Sequence, residues 1–233
     1  MISEPTLKLS IIILTWNARE LVSLCLNSVI KNINEITNEI IIVDNGSRDG
    51  TAELIWNEFP GIILVRNQKN RGVAFARNQG LRIARGEYIM FLDVDAEVLP
   101  NTISSLIGYL DDDSSAGIVG PKLIGKDEKL QYSCRKYPTI FSKLLRRMPS
   151  GLGERLLAEE MLLGWEHDYI KDVDYIIGAC QIIKRKAINQ VGLLDERMFY
   201  GPEDVDYCLR MHKAGWKVIY NPNFSVIHKE QRI

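Results

Sequence analysis

Along the first half of the chain, short β-rich apolar runs alternate with stretches of helical periodicity. Ser10–Thr15, Glu39–Val43, Ile62–Val65 and Glu87–Leu92 read as buried strands, and Ala18–Ile33, Thr51–Phe59, Gly72–Ala84 and Asn101–Leu110 as helices. That βαβα order predicts an α/β fold, with a Rossmann-like, mainly parallel sheet flanked by helices whose ligands gather at the carboxyl ends of the strands. Three of the four strands end in polar residues there: Thr15-Trp16-Asn17, Asp44-Asn45-Gly46-Ser47 and Asp93-Val94-Asp95. The second half loses this rhythm. It reads as a strand at Ile118–Leu123, an irregular stretch to about Ile170, strands near Val173–Ile177 and Cys180–Lys184, and a helix from Glu203 to Ala214. The pattern predicts one domain over residues 1–233, in two halves of about 1–115 and 116–233.

Composition narrows the class. With 233 residues and 46% hydrophobic content the chain can bury one sizeable core, and it resembles neither a disordered nor a disulfide-stapled protein. Its 29 basic and 30 acidic residues give a net charge of -1, so no global attraction to nucleic acid is indicated. Basic charge is local instead: residues 129–153 hold Lys129, Arg135, Lys136, Lys143, Arg146 and Arg147 without one acid. Ile140, Phe141, Leu144, Leu145 and Met148 fall there at helical spacing. Such a helix either packs its apolar face on the domain or lies on a membrane surface, which makes residues 135–148 a candidate peripheral contact. Cys25, Cys134, Cys180 and Cys208 lack CxxC spacing and read as reduced core thiols of a cytoplasmic protein. The first residues lack the pattern of a signal peptide, and no run approaches a membrane span.

Candidate chemistry sits at the punctuation. In VDNGSRDGT, residues 43–51, Asp44 ends a strand where a carboxylate could accept a pyrimidine ring N–H, and Asp49 is placed to cap the helix starting at Thr51. NRGVAFARNQG, residues 70–80, opens a helix at a glycine and sets Arg71 and Arg77 where a helix N-terminus and a guanidinium could face an anion; solvated surface arginines are the plainer alternative. In FLDVDAEV, residues 91–98, Asp93 and Asp95 are hard oxygen ligands of the kind that hold Mg2+ or Mn2+ together with substrate phosphates, although a DxD triplet also ends many ordinary strands. FYGPEDVDYCLRMHKAGWKV, residues 199–218, starts a helix with Glu203, Asp204 and Asp206. Three acids exceed what the helix dipole asks for, so one of them could serve as a general base. His228, in an apolar stretch, reads as structural unless it has company, and His167 and His212 read as surface residues.

Together and in this order, the SIIILTWN strand, VDNGSRDGT, NRGVAFARNQG, FLDVDAEV, GACQIIKRKAI, FYGPEDVDYCLRMHKAGW and the late His228 resemble a family 2 glycosyltransferase of the GT-A fold. The ending EDVDYCLRMHKAGWKV is similar to rhamnosyltransferase-like members that build surface polysaccharides. The resemblance covers nearly the whole chain. It implies a nucleotide-sugar half followed by an acceptor half, with Thr15, Asn17 and Asp44 bordering the nucleotide, Asp93 at ribose or metal, and Asp95 and His228 as metal ligands. It further implies an inverting transfer, dependent on Mg2+ or Mn2+, from a UDP- or dTDP-linked sugar to a hydroxyl of a saccharide or lipid-linked acceptor. In the family's ED motif the Asp is generally the base, which falls on Asp204, with Glu203 as the alternative. No QxxRW motif of processive synthases is present, so addition of one sugar is expected.

Other classes fit less well. A Rossmann oxidoreductase wants GxGxxG after its first strand, where this chain has TWNARE. A sugar-nucleotide pyrophosphorylase wants a glycine-rich phosphate loop at the same place. A sugar-nucleotide-binding protein without transfer activity would be free to lose Asp93, Asp95, Asp204 and His228, and all four are present.

Overall fold

The computed structural model describes residues 7–33, 35–138 and 151–229. The first half runs β1 (Leu9–Thr15), α1 (Arg19–Asn32), β2 (Asn38–Asp44), α2 (Thr51–Glu58), β3 (Ile63–Arg66), α3 (Val73–Ile83), β4 (Tyr88–Asp93), β5 (Ala96–Val98) and α4 (Thr102–Asp112). The second half supplies β6 (Ala116–Ile124), β7 (Leu130–Gln131), β8 (Cys134–Arg135), α5 (Gly151–Glu160), β9 (Lys171–Asp172), β10 (Tyr175–Ile176), β11 (Cys180–Lys184), α6 (Arg185–Val191), α7 (Glu203–Lys213) and β12 (Lys217–His228).

The main sheet has the order β3-β2-β1-β4-β11-β6-β12-β5. Its first four strands pair in parallel, as the βαβα pattern requires. β11 is antiparallel to both β4 and β6, while β12 runs parallel to β6 and antiparallel to β5. Both faces are covered. Ile11, Ile13, Met90 and Leu92 pack with Val22, Leu26, Ile103 and Leu106 on one side, and Ile12, Ile89 and Phe91 pack with Ala74, Leu81, Tyr207 and Met211 on the other. Neighbouring residues of one strand thus serve opposite layers, and the near-continuous apolar runs follow from that double burial.

Three features depart from the sequence pattern. The stretch read as irregular contains β7, β8 and α5, with β9 just beyond it, and the strand expected at 173–177 is the two-residue β10, paired with β8 in a separate small sheet. The 12-residue β12 went unforeseen because Asn221-Pro222-Asn223 interrupts its pattern; the ladder to β6 shifts register between Asn221 and Ser225, the kind of bulge that accommodates a proline. His167, expected at the surface, is fully buried, stacked on Trp165 at 4.2 Å and edge-on to Tyr220 at 5.6 Å. His212 is half-buried and approaches the Val173 carbonyl at 3.0 Å. All four cysteines are buried and unpaired, as expected. No described helix is long and apolar enough to cross a membrane, and the basic helix read over 140–148 lies outside the described residues.

At the amino ends of the strands, away from the polar strand ends, one buried carboxylate ties three segments together. Glu39 accepts from Ser10 Oγ at 2.6 Å, from the Arg85 backbone N–H at 2.6 Å and from the Arg85 guanidinium at 2.9 and 3.1 Å. Burial works against its charge, but these hydrogen bonds outweigh burial and hold its pKa below the ordinary 4.5. A depressed carboxylate pKa contributes stability above the unfolded-state value, and that contribution is lost as pH falls through the folded value. Glu39→Gln should therefore cost about 1–3 kcal/mol in urea unfolding at neutral pH. The gap to wild type should narrow as pH drops below the ordinary carboxylate range, and a gap that is constant with pH would contradict this account.

Candidate active site

Strand alternation builds the site. Ile89 and Phe91 point to the α3 and α7 side of β4, so the next residue on that face, Asp93, meets Arg77 of α3. Arg77 is 5% exposed. Its guanidinium donates to Asp93 Oδ1 at 3.0 Å and to the Gly178 carbonyl at 2.7 Å, lies 3.8 Å from Glu203 Oε1, and covers the Phe91 ring at 5.0 Å. A Cβ on Gly178 would collide with that guanidinium. Gly178 is thus a glycine because Arg77 occupies the space a side chain would need.

Beyond Asp93 the chain turns and returns as β5, which pairs with the end of β12 with Ala96 opposite His228. This brings Asp93, Asp95 and His228 together, one potential ligand atom from each lying within 4.8 Å of the others. His228 Nε2 is 3.4 Å from Asp95 Oδ1. Two carboxylates and an imidazole suit Mg2+ or Mn2+, with substrate phosphates filling the remaining positions. Burial, above all, and the neighbouring Asp95 charge push the Asp93 pKa up against the pull of Arg77 and His228. Paired acids strained in this way are what a divalent cation would relieve.

The acidic start of α7 faces the same cleft. The preceding loop is pinned to the start of α3, where Val73 N–H donates to the Phe199 carbonyl at 2.7 Å, and a Cβ on Gly72 (φ +87°) would lie 2.6 Å from that oxygen. Glu203 is buried, its Oε2 has no hydrogen-bond partner, and burial pushes its pKa up. Asp204 is half-buried. Its Oδ2 accepts the Gly178 N–H at 3.2 Å and its Oδ1 the Val205 N–H at 2.8 Å, which fixes the carboxylate at the cleft wall.

The cleft holds about 480 Å3, within the range of small-molecule sites. Asn17, Arg77, Asp93, Asp95, Glu203, Asp204 and His228 all line it. Thr15, Asp44 and Arg71 do not. Thr15 and Asp44 are each 1% exposed, with Asp44 accepting the Ser47 N–H at 3.3 Å, and the exposed Arg71 lies 3.6 Å over the Phe75 ring. Asp49 does not occupy the cap position, which falls on Gly50; it accepts instead from the Thr51 N–H at 3.0 Å and the Arg19 N–H at 3.1 Å. Among the cleft residues that the sequence reading did not assign to the site are Trp16, 55% exposed, Arg135 and Gly178. An aromatic between Thr15 and Asn17 at a strand end was the available signal for Trp16; Arg135 gave none beyond its basic neighbourhood.

Comparison with known proteins agrees with the fold. The mannosyltransferase PcManGT from Pyrobaculum calidifontis, solved with GDP-Man and Mn2+, superposes with a TM-score of 0.67 at 22% identity, over 97% of this chain and 58% of that one. GalNAc-T7, solved with UDP, GalNAc and Mn2+, gives 0.71 at 19% identity, over 98% and 45%. The fold is that of a GT-A glycosyltransferase. The chain belongs to glycosyl transferase family 2, whose model matches residues 10–192. Among relatives, the N-acetylglucosaminyl-diphospho-decaprenol L-rhamnosyltransferase of Mycobacterium tuberculosis is 28% identical over 81% of this chain and 66% of its own length. The chain thus spans just under two thirds of that relative.

The Arg77–Gly178 contact predicts non-additivity. Gly178→Ala should destabilise the wild type by displacing Arg77, and should cost at least about 0.5 kcal/mol less in an Arg77→Ala background. Strictly additive costs in chemical denaturation would mean that the two residues do not share the space.

Proposed function

We propose that the chain transfers one sugar from a UDP- or dTDP-linked donor, rhamnose being the favoured sugar, to a hydroxyl of a saccharide or lipid-linked acceptor, with inversion. The reading is carried by the Asp93, Asp95 and His228 group facing the α7 acids across one cleft. The named activity of the M. tuberculosis relative, whose acceptor is diphosphate- and lipid-linked, supports the sugar and acceptor class. Place of action follows from that acceptor: the inner membrane face, reached from the cytoplasm.

In this mechanism Asp95 and His228, with Asp93, would hold a divalent cation, Mn2+ or Mg2+, which when bound would offset charge on the leaving diphosphate. Arg77 keeps Asp93 in place from the protein side. Asp204 takes the proton of the acceptor hydroxyl as its oxygen bonds to the anomeric carbon; the bond from that carbon to the diphosphate breaks, and the nucleoside diphosphate leaves with the electron pair. Glu203 is the poorer candidate for the base, because its carboxyl is buried against the Arg77 guanidinium, with Oε1 3.8 Å from it. Trp16 offers an exposed ring for base or sugar.

Two experiments test the reading. Transfer from UDP- or dTDP-sugars should stop in EDTA, return with MnCl2 and be abolished by Asp95→Ala with thermal unfolding intact; turnover that persists in EDTA would refute the metal role. Asp204→Asn should lower kcat by about 10²–10⁴ while donor affinity is kept. If Glu203→Gln is the crippling change and Asp204→Asn is mild, the base is Glu203.

A further inference from the structure

His228 is held by one side chain that the metal chemistry does not itself use. Gln131 of β7 is 7% exposed, and its amide contacts His228 at both ends. Its Nε2 donates to the His228 backbone carbonyl at 2.8 Å, and its Oε1 lies 2.8 Å from His228 Nδ1. The pairing of strands explains the reach. Leu123 and Ile124 of β6 pair with Gln131 and Leu130 of β7 and also with Val226 and Ile227 of β12, so β7 and β12 flank the same piece of β6 from opposite sides.

The chemistry of these contacts leaves little freedom. A backbone carbonyl only accepts, so the amide end facing it must be the NH2, and the end facing the ring must be the oxygen. An oxygen that faces Nδ1 requires a proton there. The ring is then fixed with Nδ1–H on Gln131 and Nε2 toward Asp95, 3.4 Å away. From this we infer that Gln131 is the positioning residue of the proposed cation site: it selects the His228 tautomer whose Nε2 lone pair is directed at the cation, and it fixes the ring plane. Ring nitrogens opposite a bound metal are commonly anchored in this way, and loss of the anchor typically weakens metal binding about 10–100-fold. The inference rests on the reading of Asp93, Asp95 and His228 as the cation site.

The test uses the whole chain with MnCl2 and UDP, read by electron paramagnetic resonance of free Mn2+. Gln131→Met keeps the length and removes both contacts. It should unfold within a few degrees of wild type, bind UDP alone as wild type does, and bind Mn2+ in the presence of UDP about 10–100-fold more weakly. In parallel, ¹⁵N spectra of the metal-free wild type should show His228 protonated at Nδ1 and not at Nε2. Unchanged Mn2+ affinity in a folded Gln131→Met protein overturns the inference. Should that variant fail to fold, the spectra decide: an Nε2–H tautomer overturns it and an Nδ1–H tautomer upholds it. A wild type that binds no Mn2+ with UDP overturns the cation-site reading itself, and the inference falls with it.

Discussion

The site depends on one buried positive charge. Arg77 comes from α3, yet it touches the end of β4 at Asp93, the segment before β11 at Gly178 and the first residue of α7 at Glu203. Without it Asp93 and Glu203 would lose their shared counter-charge, and Glu203 would be left as a buried, uncompensated ion, which is costly. With it, the acids that would hold a cation and the acids that would take a proton stand at opposite ends of one guanidinium. Helix α3 therefore does more than cover the sheet: it sets the spacing between the two chemical ends of the cleft.

The rest of the design keeps that spacing rigid. The loop before α7 is tied by its Phe199 carbonyl to the first turn of α3, where Gly72 admits a backbone approach no other residue would. Asn45, at the end of β2, donates to Asn70 Oδ1 at 2.9 Å and accepts from Asn67 Nδ2 at 3.1 Å and from the Arg71 N–H at 3.1 Å. Strand ends, helix start and acidic helix are thus one hydrogen-bonded rim. Motifs that look like separate turn signals in the sequence are parts of that rim.

Much of this was legible because it rests on local periodicity. The parallel half announced itself through apolar runs ending in Asn17, Asp44 and Asp93, and the DVD triplet and the Glu203-Asp204 pair line one cleft. What stayed hidden depends on partners distant in sequence. β12 was obscured by Pro222, which only a bulge opposite β6 makes tolerable. His167 looked polar and loose, but Trp165 and Tyr220 close around it. Arg77 looked like a ligand for an anionic substrate, whereas its first partners are the protein's own carboxylates. Thr15 and Asp44 sit at the predicted strand ends, but local turns bury them, and alternation alone does not say which end residues reach open space. Gln131 carries no motif at all, since its meaning comes entirely from a residue two strands away.

The pairing of Ala96 with His228 has a consequence for how the molecule comes into being. Asp95 and His228 are separated by more than half the chain, and the strand that brings them together is the last of the sheet in sequence order. A chain emerging amino end first can assemble β1 to β4 while His228 is still unsynthesised. The Asp93, Asp95 and His228 group is then the last part of the cleft to come together, so partly made chains, or molecules clipped before His228, lack the residue that would complete a cation site there.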